Sequence, residues 1–303
     1  MKIVYSDDNL KLNNSVVVLG NFDGVHLGHK MLIEKAVKTA KEKNLLSVVY
    51  TFSEHPQKFF GKSVEILTTN AEKEKIFSES GIDFLVYQKP DCDVLSLSPE
   101  EFVENIIFKR LKAKYCIVGK HYSFGAKAKG TSEMLKVLAE KRGTEVYIEE
   151  LLEQSNNVVS SSKIREYLKN GEISEANQML GREFSITGEV VHGNHIGTGI
   201  GFPTANVNFV QDKIVPKYGV YIGKAEICGT EYNSIINIGI KPTVGGDIPL
   251  LEAHILDADC NFYGENITLK LFEFLREERK FESLGALREQ ITTDLQTAKE
   301  YFK

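Results

Sequence analysis

A chain of 303 residues with 42% apolar and 26% charged residues has the make-up of a soluble globular protein long enough for two ordinary domains. Its net charge of −5, with no Lys/Arg-rich block set apart from neighbouring acids, argues against a nucleic-acid partner, and no apolar run approaches the roughly 20 residues of a membrane helix. Cys92, Cys116, Cys228 and Cys260 form no CxxC pair, so they read as reduced, mostly core residues, and the N-terminus MKIVYSDDNLKL lacks the features of a secretory signal, so the expected location is the cytoplasm.

In chain order, short apolar runs alternate with amphipathic stretches as far as residue 181. SVVVLG (15–20), LLSVVYTF (45–52), DFLVYQ (83–88), KYCIVG (114–119) and TEVYIEE (144–150) read as strands, which predicts an α/β domain with a mainly parallel sheet over residues 1–181. Leu32, Ile33, Ala36, Val37 and Ala40 recur at helical spacing after the first of these, and Ser98 with Glu101 resembles a capping box opening SPEEFVENIIFKRL. After the helical stretches SSSKIREYLKNG and ISEANQMLG the pattern changes. Over residues 182–303, SITGEVV, GVYIGKAEI, YNSIINIG, EAHIL and ITLKLFEFL predict a small antiparallel barrel. Leu284, Leu287, Ile291, Leu295 and Ala298 then predict a closing helix packed on it.

GNFDGVHLGH (20–29) joins the first predicted strand to the first helix. Gly20, Gly24 and Gly28 permit tight turns and close approach of the backbone to a ligand, while the helix start offers N–H groups and a positive dipole end to an anion. His26 and His29, three apart, can point the same way. Asp23 either caps the turn through its side chain or meets a metal or ligand. Together these features describe a nucleotide-phosphate site at the carboxyl end of a parallel strand.

The same stretch resembles the HxGH signature of the nucleotidyltransferase superfamily, in the form found in prokaryotic bifunctional riboflavin kinase/FAD synthetases. TFSEHP (51–56), IVGKHYSFG (117–125) and VSSSKIR (159–165) are similar, in order, to further elements of that family. The resemblance implies a Rossmann-like domain that transfers AMP from ATP to FMN, with Gly20, Asn21, Phe22, Gly24, His26 and His29 at the ATP phosphates. Ser160, Ser161 and Arg165 would hold the triphosphate tail, and His55, His121 and Phe124 would lie on the flavin side. Arg165 suits its role because its fork of donors pairs with phosphate oxygens. For His55 a structural role is an equal alternative. The sequence departs from the family pattern at Glu54, His121 and Tyr122.

GIGFPTAN (199–206) reads as a glycine-flexed loop whose Thr204 and Asn206 oxygens share one face if extended, a donor set suited to Mg²⁺, though taken alone the stretch reads as a plain turn. The run of VVHG, GFPTAN, GVYIGKA, NIGIKPT, LEAHIL and FYG resembles the riboflavin kinase domain of the same family. By that resemblance Gly199, Thr204 and Asn206 bind ATP phosphate and Mg²⁺, and Glu252 takes the proton from the ribityl hydroxyl. Read without its neighbours, Glu252 is an outward residue of a half-buried strand. GNHIGTG (193–199) lacks the cations usual in the family at that loop, and PTVGGDIP (242–249) lacks the aromatic residue usual after PT. The implied partners are therefore ATP and small flavins (riboflavin, FMN and FAD), with no nucleic acid and no membrane. The alternative is a single-activity FAD synthetase whose inactive barrel serves as a flavin-binding or regulatory module.

Overall fold

The apolar runs of the first 150 residues become six parallel strands because most of their side chains are buried on both faces of one sheet. In the computed structural model these are β1 (Lys2–Tyr5), β2 (Ser15–Leu19), β3 (Leu46–Phe52), β4 (Phe84–Gln88), β5 (Ala113–Gly119) and β8 (Glu145–Glu149). The structure describes all residues except 7, 9, 11, 155, 156, 193–200, 244, 245 and 258–261, and describes only the backbone at 241–243 and 246–248. The sequence pattern points to every strand of this sheet except β1, an edge strand of four residues paired only with β4.

Helix α1 (Leu27–Lys43) buries the predicted stripe Leu32, Ile33, Ala36, Val37 and Ala40. Short α2 (Pro56–Phe59) follows β3, and α3 (Asn70–Glu79) opens on a capping box in which Thr69 and Glu72 serve each other's backbone N–H. After α4 (Cys92–Leu95), α5 (Pro99–Phe102) has the predicted Ser98–Glu101 capping box and continues as a π-helix over Val103–Arg110. The two-stranded β6 (Ser123–Phe124) and β7 (Gly130–Thr131) precede α6 (Ser132–Glu140), and β9 (Glu153–Gln154) pairs with β10 (Asn157–Val158).

Strand order is β1-β4-β3-β2-β5-β8. The chain leaves β2 toward β3 but leaves β5 toward β8, in opposite directions along the sheet. The crevice between the carboxyl ends of β2 and β5 is therefore the topological switch point, where open parallel sheets bind ligands.

Packing divides the chain into compact units at 1–161 and 162–303. By packing, α7 (Ser161–Asn170) from its second residue on and α8 (Ile173–Leu180) group with the second unit, while the sequence texture changes at 181/182. Helix α8 buries Ile173, Ala176, Met179 and Leu180, and polar contacts add to this packing. The Lys217 N–H donates to the Leu168 carbonyl at 2.9 Å, while Asn177 donates to the Leu271 carbonyl at 2.8 Å and accepts from the Phe184 N–H at 2.6 Å.

The second unit contains a closed antiparallel barrel of β11 (Phe184–Val191), β12 (Ala205–Phe209), β13 (Gly219–Ile227), β14 (Thr230–Thr243), β15 (Gly246–Ile255) and β16 (Asn266–Arg276), in the order β11-β12-β15-β14-β13-β16. The GFPTAN stretch, read from sequence as a loop, supplies the start of β12. The last helix, α9 (Leu284–Tyr301), packs Leu295 and Ala298 with Phe302 against Val220, Ile222 and Ile235 of the barrel. Leu284, expected on its apolar stripe, is exposed.

The residue that fastens α9 is instead Asp294, whose carboxylate accepts from Arg276 Nε at 3.0 Å and Nη2 at 2.8 Å and from Gln290 at 2.7 Å. Its side chain is 4% exposed, and that of Arg276 is 21%. Removing one partner of such a pair strands the other. Asp294→Ala is expected to lower the stability of the second unit by about 2 to 4 kcal/mol, whereas replacing both partners by apolar residues costs less; urea denaturation of the two variants checks this.

Among the described cysteines, all expected in the core, only Cys116 is buried, and burial pushes its thiol up to about 12. Cys92 and Cys228 are exposed. Cys260 lies outside the described residues.

Candidate active sites

The first site is built where β2 ends. The chain turns through residues with left-handed backbone, Phe22 (φ 48°), Gly24 (φ 86°) and Val25 (φ 38°), before α1 begins. A left-handed phenylalanine is costly, so packing must hold it. The Phe22 side chain is fully buried, with its ring edge-on to Phe77 at 5.7 Å and to His29 at 5.1 Å. Phe22 can therefore serve a ligand only through its backbone.

Asp23 resolves the choice left open by the sequence in favour of structure: its Oδ1 accepts from the N–H groups of Leu67 at 2.8 Å and Thr68 at 3.1 Å. The Thr68 hydroxyl accepts in turn from the Gly24 N–H at 2.9 Å, and the Ser161 hydroxyl donates to the Asp23 carbonyl at 2.8 Å. The GNFDG turn is thus bolted both to the segment before α3 and to the first residue of α7. Ser160 immediately precedes that helix, and Arg165 lies half-buried one turn along it.

His26 caps α1. Its Nδ1 accepts from the His29 N–H at 3.4 Å. The two rings stack with centroids 3.7 Å apart and planes 16° from parallel. The first turn of α1 holds no acidic residue, so nothing there offsets the positive end of the helix. Stacked ring donors beside a helix start suit a polyphosphate.

Two residues lie beneath this turn: Thr51, which opens the TFSEHP stretch, and Lys73, which carries no obvious signal in the sequence. The Asn21 carbonyl accepts from the Thr51 hydroxyl at 3.1 Å and the Lys73 ammonium at 3.3 Å. Lys73 lies one α3 turn before Phe77 on the same buried face and is 8% exposed. Burial pushes its pKa below the ordinary lysine value, opposed by the nearby Asp23 carboxylate.

The residues expected on the flavin side are placed differently from one another. His55 follows β3 and caps α2, its Nδ1 accepting from the Gln57 N–H at 3.3 Å. His121 is exposed on the turn after β5. Phe124 faces the core: its ring packs on Phe102 at 5.1 Å and stacks on Tyr122 at 5.8 Å. Gly130 makes room for that ring, since a Cβ there would lie 2.7 Å from it.

The second site lies on the outer face of the barrel. Leu251, Ala253 and Ile255 of β15 point inward, leaving Glu252 and His254 outward. Glu252 stands directly opposite Asn206 of β12 on one side and Asn237 of β14 on the other, a row of three polar residues across three strands. Directly opposed side chains share one face with Cβ atoms about 5 Å apart. His254 Nδ1 lies 2.8 Å from the Pro203 carbonyl, which pins the chain just before Thr204. Asn237 also donates to Glu278 at 3.4 Å. Gly199 and the GNHIGTG loop lie outside the described residues, as do the side chains of most of PTVGGDIP.

Residues 8–163 match the family described as FAD synthetase, and residues 180–302 match that described as riboflavin kinase. A bifunctional riboflavin kinase/FMN adenylyltransferase of Buchnera aphidicola subsp. Schizaphis graminum is 37% identical, with the comparison covering 100% of this chain and 99% of the relative. The protein of that name from Bacillus subtilis is also 37% identical, over 95% of this chain and 92% of its own. A solved structure described as a macrolide-efflux protein from Streptococcus pneumoniae superposes with a TM-score of 0.91 at 31% identity, over 98% of both chains. Its name is that protein's own; among the described residues here, no helix is long and apolar enough to cross a membrane. With both family matches in order and full-length relatives above 30% identity, the chain belongs to the bifunctional riboflavin kinase/FMN adenylyltransferase family.

Proposed function

We propose that the chain carries out two consecutive transfers from ATP: its barrel unit phosphorylates riboflavin to FMN, and its N-terminal unit transfers AMP to FMN, giving FAD and pyrophosphate. Both family matches and the names of the full-length relatives support this bifunctional transferase reading over that of an inactive barrel. The observation that carries it is the contrast between the two sites. One presents stacked imidazoles at a helix start, and the other presents a carboxylate between two amides.

That contrast matches the chemistry. The FMN phosphate is already an anion, so an oxygen of it attacks the α-phosphorus directly; the new P–O bond forms as the bond to the β-phosphate breaks, and pyrophosphate leaves with the electron pair. No proton need be removed, and the protein's task is to hold and neutralise charge. His26 and His29 would do so with ring N–H donors, Asn21, Phe22 and Gly24 through the turn, and Ser160, Ser161 and Arg165 from the start of α7. In this reading His121 and His55 line the approach of the flavin.

Riboflavin, by contrast, attacks through a neutral hydroxyl. Its proton must go to a base as the oxygen bonds the γ-phosphorus and the bond to the β-phosphate breaks, ADP leaving with the electron pair; we assign the base to Glu252. Asn206, opposite Glu252, and Thr204 would supply hard oxygen donors, a set that fits Mg²⁺ shared with ATP phosphates rather than enclosed by protein. The ion, when bound, would neutralise phosphate charge. ATP and flavin substrates also fit a cytoplasmic location.

The test supplies purified protein with ATP, Mg²⁺ and either riboflavin or FMN and separates the flavins. FMN and then FAD are expected from riboflavin, and FAD from FMN. Failure to make FAD from FMN would overturn the first assignment, and failure to make FMN from riboflavin the second.

A further inference from the structure

The geometry points to Lys73 as a positioning residue for adenylyl transfer: with Thr51 it fixes the Asn21 carbonyl, and so presents the Phe22 N–H to the triphosphate. This rests on the reading of GNFDGVHLGH as the triphosphate site.

Four observations lead there. The Asn21 carbonyl receives two side-chain donors, Thr51 from β3 at 3.1 Å and Lys73 from α3 at 3.3 Å. In a trans peptide the carbonyl and the following N–H point in opposite directions, and the described chain contains no cis bond. Fixing the Asn21 oxygen therefore turns the Phe22 N–H to the side away from Lys73 and Thr51. The Phe22 side chain is buried and its φ is positive, so the peptide is held from both ends.

Lys73 is also an expensive choice for a residue with only a structural role. An ammonium buried to this degree costs stability unless compensated. The nearby Asp23 carboxylate offsets part of that cost, but the backbone carbonyl is already served by Thr51 and does not require a second donor. What an apolar residue could not supply is positive charge directly beneath a loop that must receive a polyphosphate.

The experiment compares wild type with Lys73→Met, Lys73→Arg and Thr51→Val in both reactions, alongside thermal stability. For Lys73→Met, kcat/KM for ATP in FAD formation is expected to fall at least tenfold and riboflavin phosphorylation to stay within twofold. Lys73→Arg should recover part of the loss because it restores the charge. Thr51→Val should shift the same parameter by a smaller factor, and its effect should be non-additive with that of Lys73→Met, since both act through one carbonyl.

Unchanged FAD formation in Lys73→Met overturns the inference, as does a loss shared by both reactions with a lowered melting temperature, which marks a structural role. If Lys73→Met does not fold, Thr51→Val decides alone by the same criteria. His29→Ala in parallel separates the two levels: if it leaves FAD formation intact, the site reading itself is wrong; if it abolishes FAD formation while the Lys73 and Thr51 variants behave as wild type, only the present inference fails.

Discussion

His29→Ala is expected to slow FAD formation from FMN and ATP by about 100- to 1000-fold while riboflavin phosphorylation stays within twofold. The magnitude is that of removing one preorganised donor from a site where charge develops in the transition state. His29 is the better test of the pair. His26 also caps α1, and losing a cap costs about 1 kcal/mol by itself, so a His26 variant mixes chemistry with folding. The His29 ring stacks on His26 and meets the edge of Phe22, so its loss opens space without removing a cap.

Two further substitutions identify the atom. The amide of His29→Asn sits near the position of Nδ1, and that of His29→Gln nearer Nε2; whichever recovers the rate marks the nitrogen that donates. The readout is single-turnover conversion of FMN to FAD beside steady-state riboflavin kinase activity of the same preparation. Equal losses in the two reactions would point to a general folding defect and overturn the assignment.

The legibility of this site in the sequence follows from how local its parts are. Four consecutive aliphatic residues, a glycine and a helix with an apolar stripe fix β2, the turn and α1 within a 30-residue window, and His26 and His29 come with them. Lys73 is illegible for the opposite reason. In NAEKEKIF it is one of two lysines among glutamates and reads as part of a solvated face; only its position one turn before the buried Phe77 turns it inward. Phe124, expected at the flavin, is drawn into the core because Gly130 leaves space for its ring.

The barrel site shows where sequence reading stops. Strand content was legible, but neighbours in the site come from residues 206, 237 and 252, and only the register of β12, β14 and β15 makes them adjacent. Asn237 carries no signal in isolation. Its place beside Glu252 appears once the sheet is closed.

Glu252→Gln is expected to reduce riboflavin phosphorylation by about 100-fold or more while FAD formation from supplied FMN persists within twofold. Glutamine keeps the size and hydrogen-bonding reach of the side chain but cannot accept the hydroxyl proton, and loss of a positioned general base costs about 100- to 10,000-fold. The fall should appear in kcat with KM for ATP nearly unchanged, because the proton moves only as the reaction proceeds. An outward residue on a half-buried strand would instead tolerate the change, so activity within threefold of wild type would return Glu252 to that bland role. Asn206→Ala gives the complementary pattern. On the assignment of Asn206 to Mg²⁺ and phosphate proposed above, the substitution should act on ATP affinity, and raising the Mg²⁺ concentration should recover part of its loss while leaving Glu252→Gln unimproved. A shared response to added Mg²⁺ would mean that the carboxylate holds the ion rather than the proton.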